Sequence, residues 1–495
     1  MKEKTLFDFD INGKTIRKSA TDSILIQLLV KMKGIITMPI MTYYMLPAEM
    51  GAWNLISVTA AMLTPLFSLN LTDGPAIYFA QEKSHSKIND MYNTVLNSVL
   101  IISLVCSVLL WGGSRFLASS YRDYIFAIIF LILSNVILKV TYFILAIFQK
   151  TSILVRNTII HDVLATLLTI ALVILGFSYQ GIVASIIIAN IFAAILIWRV
   201  IKTDLPYRFF LDRKILFTFL KTALPLLPVF FFAWVIQSSD SYFLAYFHGE
   251  QSVGKYAVIY GLTGVILSIT FALNFFWFPV SARLWIENRE QYLKVFKVVF
   301  AGMLTVLLII VCLFEFNSST IMKIFARRAI YQDAHIIMGT IALAFTMQVL
   351  ITLLTAPLYS NLNTTAIFIS YLIGGILNTI LNILLIPEMG IVGAALSTVL
   401  AYLLIVIIMG ILNYRLAEFP FVDKRLKYII LCFIVAWIFM GWLRGHLPIV
   451  EVILVDVIIV SLSIVLIYKQ VLRSDERKYL ATLYTNYRMT QKAGT

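Results

Sequence analysis

Apolar residues run through this chain in blocks of twenty or so, separated by short polar joints, from residue 21 to about residue 470. A helix rising 1.5 Å per residue needs about 20 such residues to cross the ~30 Å hydrocarbon core of a bilayer. The pattern predicts fourteen spans, at about 21–46, 50–73, 91–114, 124–149, 153–177, 181–200, 216–246, 253–281, 292–315, 334–358, 364–386, 390–413, 427–443 and 449–469. The expected fold class is all-α and polytopic.

Composition agrees. The chain has 495 residues, 61% hydrophobic and 13% charged, with a mean hydropathy of +0.92. A soluble protein of this length needs far more polar surface. The net charge of +14 therefore reads as orientation signal and anionic-lipid contact, not nucleic-acid binding. Cys106, Cys312 and Cys432 all fall in apolar runs, which argues against a disulfide framework. The opening MKEKTLFDFDINGKTIRK is polar, and the run after it is too long for a cleaved signal.

Charge placement sets the expected topology. With the N-terminus in the cytoplasm, 29 of the 39 Lys and Arg fall in cytoplasmic segments, 7 outside and 3 within spans. That asymmetry puts both termini in the cytoplasm.

The chain also repeats. PAEMGAWNLI (47–56) follows the first span and EQSVGKYAVI (250–259) the seventh, with Gly51 and Gly254 offset by 203. QGIVASIIIANIFAAIL (180–196) resembles MGIVGAALSTVLAYLLI (389–405), with Gly181 and Gly390 offset by 209. Spans one to six thus recur as seven to twelve, in the same orientation about an axis along the membrane normal. The expected organisation is a tail at 1–20, an N-lobe at 21–200, a basic linker at 201–215 and a C-lobe at 216–413. Two extra spans at 427–469 and a tail at 470–495 follow.

Together with LTDGPAIYFA (71–80) and SSDSYFLAYFHGEQSVGKY (238–256), these motifs resemble the Wzx-type O-antigen flippases. Those form the polysaccharide-export branch of the multidrug/oligosaccharidyl-lipid/polysaccharide (MOP) transporter superfamily. The resemblance covers nearly the whole chain and rests on the order of the motifs, each of which is weak alone. It implies two six-helix lobes around a central cavity. It also implies transfer of an undecaprenyl-diphosphate-linked glycan, a precursor of lipopolysaccharide or capsule, from the cytoplasmic to the outer leaflet. A monomer working beside a polysaccharide polymerase is the expected assembly, with membrane lipids and no nucleic acid as other partners.

Candidate chemistry centres on cations within spans. A central lysine costs about 2.5–3.5 kcal/mol on insertion scales. Lys31 and Lys33 nevertheless sit inside the first span and Lys139 inside the fourth. Lys31 and Lys139 lie at similar depth, each about ten residues from a cytoplasmic span end. Lys31 and Lys33 are about 200° apart around a helix and cannot both face one centre. The three are candidate cavity cations for a diphosphate headgroup; snorkelling, or pairing with Asp73, Asp162 or Asp240, is the structural alternative. Arg156, Lys221 and Arg283 are candidates for a basic cavity mouth, or ordinary anchors at span ends. Pro39, Pro225 and Pro228 are candidate bends in spans one and seven.

Asp240, near the outer end of span seven, is either a proton or sodium site or a water-facing carboxylate. His161 and Asp162 form either a proton relay or a satisfied pair. Beyond H⁺ or Na⁺ no cofactor is expected. No HExxH, GxSxG, Walker or paired-cysteine pattern occurs and the five histidines are scattered, so an enzyme is not expected. A membrane polymerase or transferase is the remaining enzymatic alternative. Within the same fold, a lipid II flippase shares the cationic logic, whereas a multidrug exporter would favour an anionic cavity.

Overall fold

The computed structural model describes residues 34, 36–116, 119–148, 150–361, 363–417 and 424–443. Ten helices among them are long and apolar enough to cross a membrane, and no strand occurs among the described residues. The protein is a multi-pass, all-α membrane protein. Lys31, Lys33 and the expected span at 449–469 lie outside the described residues.

The first lobe comprises α1 (36–44), α2 (Pro47–Phe67), α3 (Ala76–Gln81), α4 (His85–Gly113), α5 (Ser119–Ile147), α6 (Thr151–Ile174) and α7 (Ser178–Ile201). A linker leads through α8 (Arg213–Ala223) to α9 (Leu227–Thr263), α10 (Ser268–Ala272), α11 (Phe278–Glu287), α12 (Arg289–Phe325), α13 (Met338–Ser360), α14 (Thr364–Met389) and α15 (Ile391–Ala417). Beyond them lies α16 (Lys424–Leu443). Helix starts follow local chemistry. Pro47 sits in the first turn of α2, where the Glu49 carboxylate accepts the Leu46 N–H at 2.7 Å. Asp212, Asn288 and Asn363 cap α8, α12 and α14 by accepting backbone N–H groups that would otherwise lack partners.

There are two apolar cores, one within the first lobe and one centred on the second lobe that also takes in Met50, Leu55, Val173 and Ile182 of the first. One joins Phe67, Phe79, Tyr92, Ile132, Ile144 and Ile197; the other joins Ile236, Tyr256, Phe296, Phe345, Ile386 and Ile405. Two details differ from the sequence pattern. Residues 213–223, which the apolar pattern joined to the seventh span from 216, form the separate amphipathic helix α8. Phe219 and Ala223 of α8 pack into the first lobe's core. Met38, Met41 and Met45, from the first span, pack instead into the second lobe's core.

The expected eighth span is broken. α9 carries residues 227–263 across a bend at Gly249 (φ 77°), and the chain then proceeds through 3₁₀ and π-helical turns to α11. The repeat is visible in contacts. A Cβ on Gly51 would stand 2.0 Å from the Glu250 carbonyl oxygen, and one on Gly254 would stand 1.8 Å from that of Pro47. Both contacts follow the offset of 203. In the later motif the roles shift register: Gly176 and Gly390 hold positive φ between helices, while Gly181 and Gly393 allow close helix approach.

Candidate functional site

The lobes meet along α2 and α9. Beyond the glycine contacts, the Trp234 Nε1–H donates to the Val58 carbonyl at 2.9 Å, and Thr59 Oγ1 and Tyr242 Oη share a 2.5 Å hydrogen bond. Tyr124 Oη donates to Glu250 Oε1 at 2.8 Å. The joint between α12 and α13 clasps the end of α1: Thr42 Oγ1 donates to Phe325 O at 2.8 Å, Arg328 Nε to Tyr43 O at 2.8 Å, and Tyr331 Oη to Met45 O at 3.1 Å. These contacts close one end of the interlobe space. The basic linker lies toward the other end.

There α2 breaks. Pro65 stands in its last turns, and Ser68–Pro75 is a non-helical turn in which Leu69 (φ 45°) and Asn70 (φ 53°) take left-handed backbone. The Asn70 carbonyl accepts the N–H groups of Asp73 and Gly74 at 3.2 and 3.1 Å, which fixes the turn. Asp73 thereby leaves the helix surface, and Lys139 Nζ of α5 reaches its Oδ2 at 3.4 Å. The side chains are 43% and 50% exposed, so the pair is held but not sealed. A pair that open contributes about 0–1 kcal/mol to stability. Its charges remain available to a ligand.

The other candidates fall elsewhere. Arg156 and Lys221 are exposed on α6 and α8. Arg283 pairs with Glu287 one turn along α11 at 2.8 Å; accepting that N–H, the carboxylate raises the guanidinium pKa above its ordinary value. No contact among the described residues joins these three to Lys139. Pro39 is half-buried in α1. Pro225 lies in a 3₁₀ turn at Leu224–Leu226 and Pro228 in the first turn of α9, so the seventh span is jointed there.

Asp240 does not face water. It is 0% exposed, and it accepts from Tyr256 Oη at 2.5 Å, the Ser241 N–H at 2.8 Å and Thr398 Oγ1 at 3.4 Å. Next to it, Ser239 Oγ donates to Asn378 Oδ1 at 3.1 Å, Asn382 Nδ2 reaches the same oxygen at 3.1 Å, and Ser397 Oγ bonds Asn382 Oδ1. Four helical segments thus converge on one buried carboxylate in a cluster of hydroxyl and amide groups. A buried carboxylate costs free energy unless a proton or cation accompanies it. His161 and Asp162 do meet, at 3.2 Å, and His161 Nε2 lies 2.8 Å from Asn190 Oδ1; Asn190 in turn donates to Ser134 and Asn135. The arrangement is a hydrogen-bonded network across α5, α6 and α7. The sequence reading missed Tyr256, Asn378, Asn382, Thr398 and Asn190. The available signal was asparagines within apolar runs, above all Asn378 and Asn382 one turn apart on α14.

A family profile described as "Polysaccharide biosynthesis protein" matches residues 16–285, more than half of the chain. The chain belongs to that family. An uncharacterized membrane protein of Methanocaldococcus jannaschii is 29% identical over 198 residues. That match spans 39% of this chain and 38% of the relative, well short of the relative's full length. Among solved structures, the lipid II flippase MurJ in an inward closed conformation matches with a TM-score of 0.72 at 15% identity, over 91% of this chain and 97% of that one. An inward-facing multidrug resistance MATE transporter of the MOP superfamily gives 0.59 at 14%, over 81% and 99%. A MOP superfamily transporter from Pyrococcus furiosus, described by a binding pocket of reversed polarity, gives 0.58 at 14%, over 84% and 99%. At these identities the likeness shows the fold: this family member has the MOP transporter architecture.

Proposed function

We propose that the protein is a flippase that moves polyprenyl-diphosphate-linked oligosaccharide repeat units, of O-antigen or capsule type, from the cytoplasmic to the outer leaflet. Membership of the polysaccharide biosynthesis family and the MOP fold support the class. The observation that carries the substrate chemistry is Lys139, an intramembrane ammonium left 43% exposed beside Asp73. A lysine is a compact cation with three donors, suited to a diphosphate that must be bound and released. In this reading one of Lys31 and Lys33 of the first span, which lie outside the described residues, supplies a second cation.

In the proposed cycle the space between α2 and α9, closed at the glycine end, receives the headgroup from the cytoplasm, while the lipid tail stays in the bilayer. Arg156, Lys221 and Arg283 extend the basic approach. Rocking of the lobes about the jointed seventh span re-exposes the site outward. The membrane potential assists, since each negative charge carried across the full field gains about 2.3 kcal/mol per 100 mV. The buried Asp240 cluster supplies H⁺ or Na⁺ coupling; the His161–Asp162 network serves as structure. The protein works as a monomer in the bacterial inner membrane with both termini cytoplasmic, handing undecaprenyl-linked glycan to a polysaccharide polymerase.

A second reading, a lipid II-type substrate, is favoured by the extent of the likeness to MurJ. Both substrates present a polyprenyl diphosphate and differ in the attached sugar and peptide. Mass spectrometry of lipid that co-purifies with the protein separates them. Flipping of a fluorescent polyprenyl-diphosphate glycan in proteoliposomes tests the class. Normal rates in Lys139→Ala, Lys31→Ala and the double variant, at equal protein level, would contradict a cationic substrate site.

A further inference from the structure

Together α8 and α9 are longer than the bilayer requires. At about 1.5 Å per residue, residues 229–248, up to the Gly249 bend, already span the ~30 Å hydrocarbon core. The Leu224–Leu226 joint and α8 before it therefore fall at the level of the headgroups, on the side of the basic linker. Two faces of α8 differ. Phe219 and Ala223 are buried in the first lobe's core, with the Phe219 ring centroid 5.3 Å from that of Tyr78 and 5.9 Å from that of Phe79. At about 100° per residue, Lys214, Phe217, Thr218 and Lys221 share a sector of about 100° on the opposite side, and Arg213 flanks it about 40° from Phe217. All five are exposed, Phe217 by 63%.

One environment suits such a face. Cytosol would leave the Phe217 ring in water, and hydrocarbon would strand the ammonium groups. The headgroup layer satisfies both, because a lysine stem lies along apolar surface while its charge reaches phosphate. The neighbouring chain repeats the combination. Phe209 is 76% exposed next to Arg208, and Lys202 Nζ lies 5.4 Å from the centroid of the exposed Trp198 ring at the end of α7.

The charge is also one-sided. Six basic and two acidic residues lie between 199 and 221. The Asp212 carboxylate accepts the Lys214 and Ile215 N–H groups at 2.7 and 3.2 Å, and Asp90 pairs with Arg208. Among the described residues no carboxylate pairs with Arg213, Lys214 or Lys221. Their counter-charge comes from outside the protein.

We infer that the exposed face of α8 docks on anionic phospholipid headgroups of the adjoining leaflet, the cytoplasmic one in the proposed orientation. Arg213 and Lys214 supply the attraction to phosphate, and Phe217 seats the helix in the interface. Because α8 leads into α9 through the Leu224–Leu226 joint, the contact anchors the near end of the jointed seventh span. It goes beyond the flippase reading and does not depend on the glycan carried.

The test uses the full chain in nanodiscs of phosphatidylcholine, with or without one-third phosphatidylglycerol, both doped with phosphatidylcholine spin-labelled at its headgroup. Thr218→Cys, in a background without the three native cysteines, carries a fluorophore that the spin label quenches. Quenching is expected to be about threefold stronger in the anionic discs. It should fall to the neutral level at high salt, and in Arg213→Gln combined with Lys214→Gln. Arg213→Lys combined with Lys214→Arg should keep the preference, which separates loss of charge from loss of fold. Equal quenching in both discs would mean apolar contact without headgroup recognition, and none in either would put the face in the cytosol. Each of these overturns the proposal, as does a preference that survives in the glutamine pair. No glycan lipid enters the measurement, so its failure leaves the flippase reading untouched.

Discussion

Gly51 and Gly254 each lie against the backbone of the other's repeat: hydrogen is all that fits between Gly51 and the Glu250 carbonyl, or between Gly254 and that of Pro47. Because the blocking atoms are backbone, no side-chain rotation can make room. A methyl at either position must pry α2 from α9 at the closed end of the interlobe space. Alanine is better than glycine in a helix by about 1 kcal/mol, so each helix alone would gain. The pair should lose more than that. Gly51→Ala and Gly254→Ala are expected to fold but to favour the state open at this end. Thiols at Thr59→Cys and Tyr242→Cys, in a background without the three native cysteines, report it with a short bifunctional reagent. Cross-linking should be efficient with both glycines present and fall several-fold in Gly254→Ala.

Lys139 and Asp73 make opposite demands on stability and transport. With side chains 43% and 50% exposed, their pair is weak, so Lys139→Ala should change unfolding free energy by under about 1 kcal/mol. Flipping of polyprenyl-diphosphate glycan should fall tenfold or more. Lys139→Arg should retain part of the rate, since charge persists while the compact geometry does not. Swapping the charges, as Lys139→Asp with Asp73→Lys, rebuilds an ion pair but moves the ammonium to the turn. Recovery of fold without recovery of rate would place the requirement on the cation's position. Full recovery of rate would make the pair a structural tie.

How far the residues foretold this architecture depends on the length scale of the signal. Span length, the basic asymmetry and the glycine turns are local and periodic, and the first repeat offset reappears as reciprocal contacts of Gly51 and Gly254. Residues 213–223 misled because an amphipathic helix abutting a span through Leu224–Leu226 reads as one apolar run. The second offset misled because Gly181 and Gly390 look alike in sequence while Gly176 and Gly390 share the positive φ. Asp240 was legible as an intramembrane carboxylate, but its burial depends on α14 and α15, more than 130 residues away. No local pattern records such a convergence. The Lys139–Asp73 contact is of the same kind, although Asp73 stood among the three carboxylates the sequence offered.

Asp240 is expected to govern ion dependence more than folding when replaced by its isostere. Asp240→Asn keeps the size and an oxygen for Tyr256 Oη, at 2.5 Å, and removes the need for a counter-charge. Its thermal stability should stay near or above that of the parent. Its flipping rate should be low and insensitive to sodium and to external pH. Asp240→Ala leaves Tyr256 Oη without its carboxylate acceptor in a sealed site, which costs about 1–3 kcal/mol. Sodium-dependent flipping that persists in Asp240→Asn would show that coupling resides elsewhere.

The linker between the lobes is held by two asparagines one turn apart on α4. Asn93 Oδ1 accepts the Arg208 N–H at 2.9 Å and its Nδ2 donates to Pro206 O at 3.1 Å; Asn97 Nδ2 donates to the carbonyls of Arg208 and Phe210 at 3.0 and 3.1 Å. Asn97 Oδ1 also accepts from Tyr207 Oη at 3.2 Å. Both asparagines are buried, so these amides supply the partners that water would otherwise give an extended backbone. Asn97→Ala should leave two carbonyls short of a donor and loosen residues 206–210 without unfolding either lobe. Limited trypsinolysis reads this directly, because Arg208 lies within the clasped segment. Cleavage after Arg208 should be slow in the parent and at least several-fold faster in Asn97→Ala, and faster still when Asn93→Ala is added. Since α8 continues from this segment into the first lobe's core, a freed linker also weakens the tether that positions the start of α9. Transport should then decline in step with cleavage; unchanged cleavage in the double variant would mean that packing of Phe219 and Ala223 alone holds the segment.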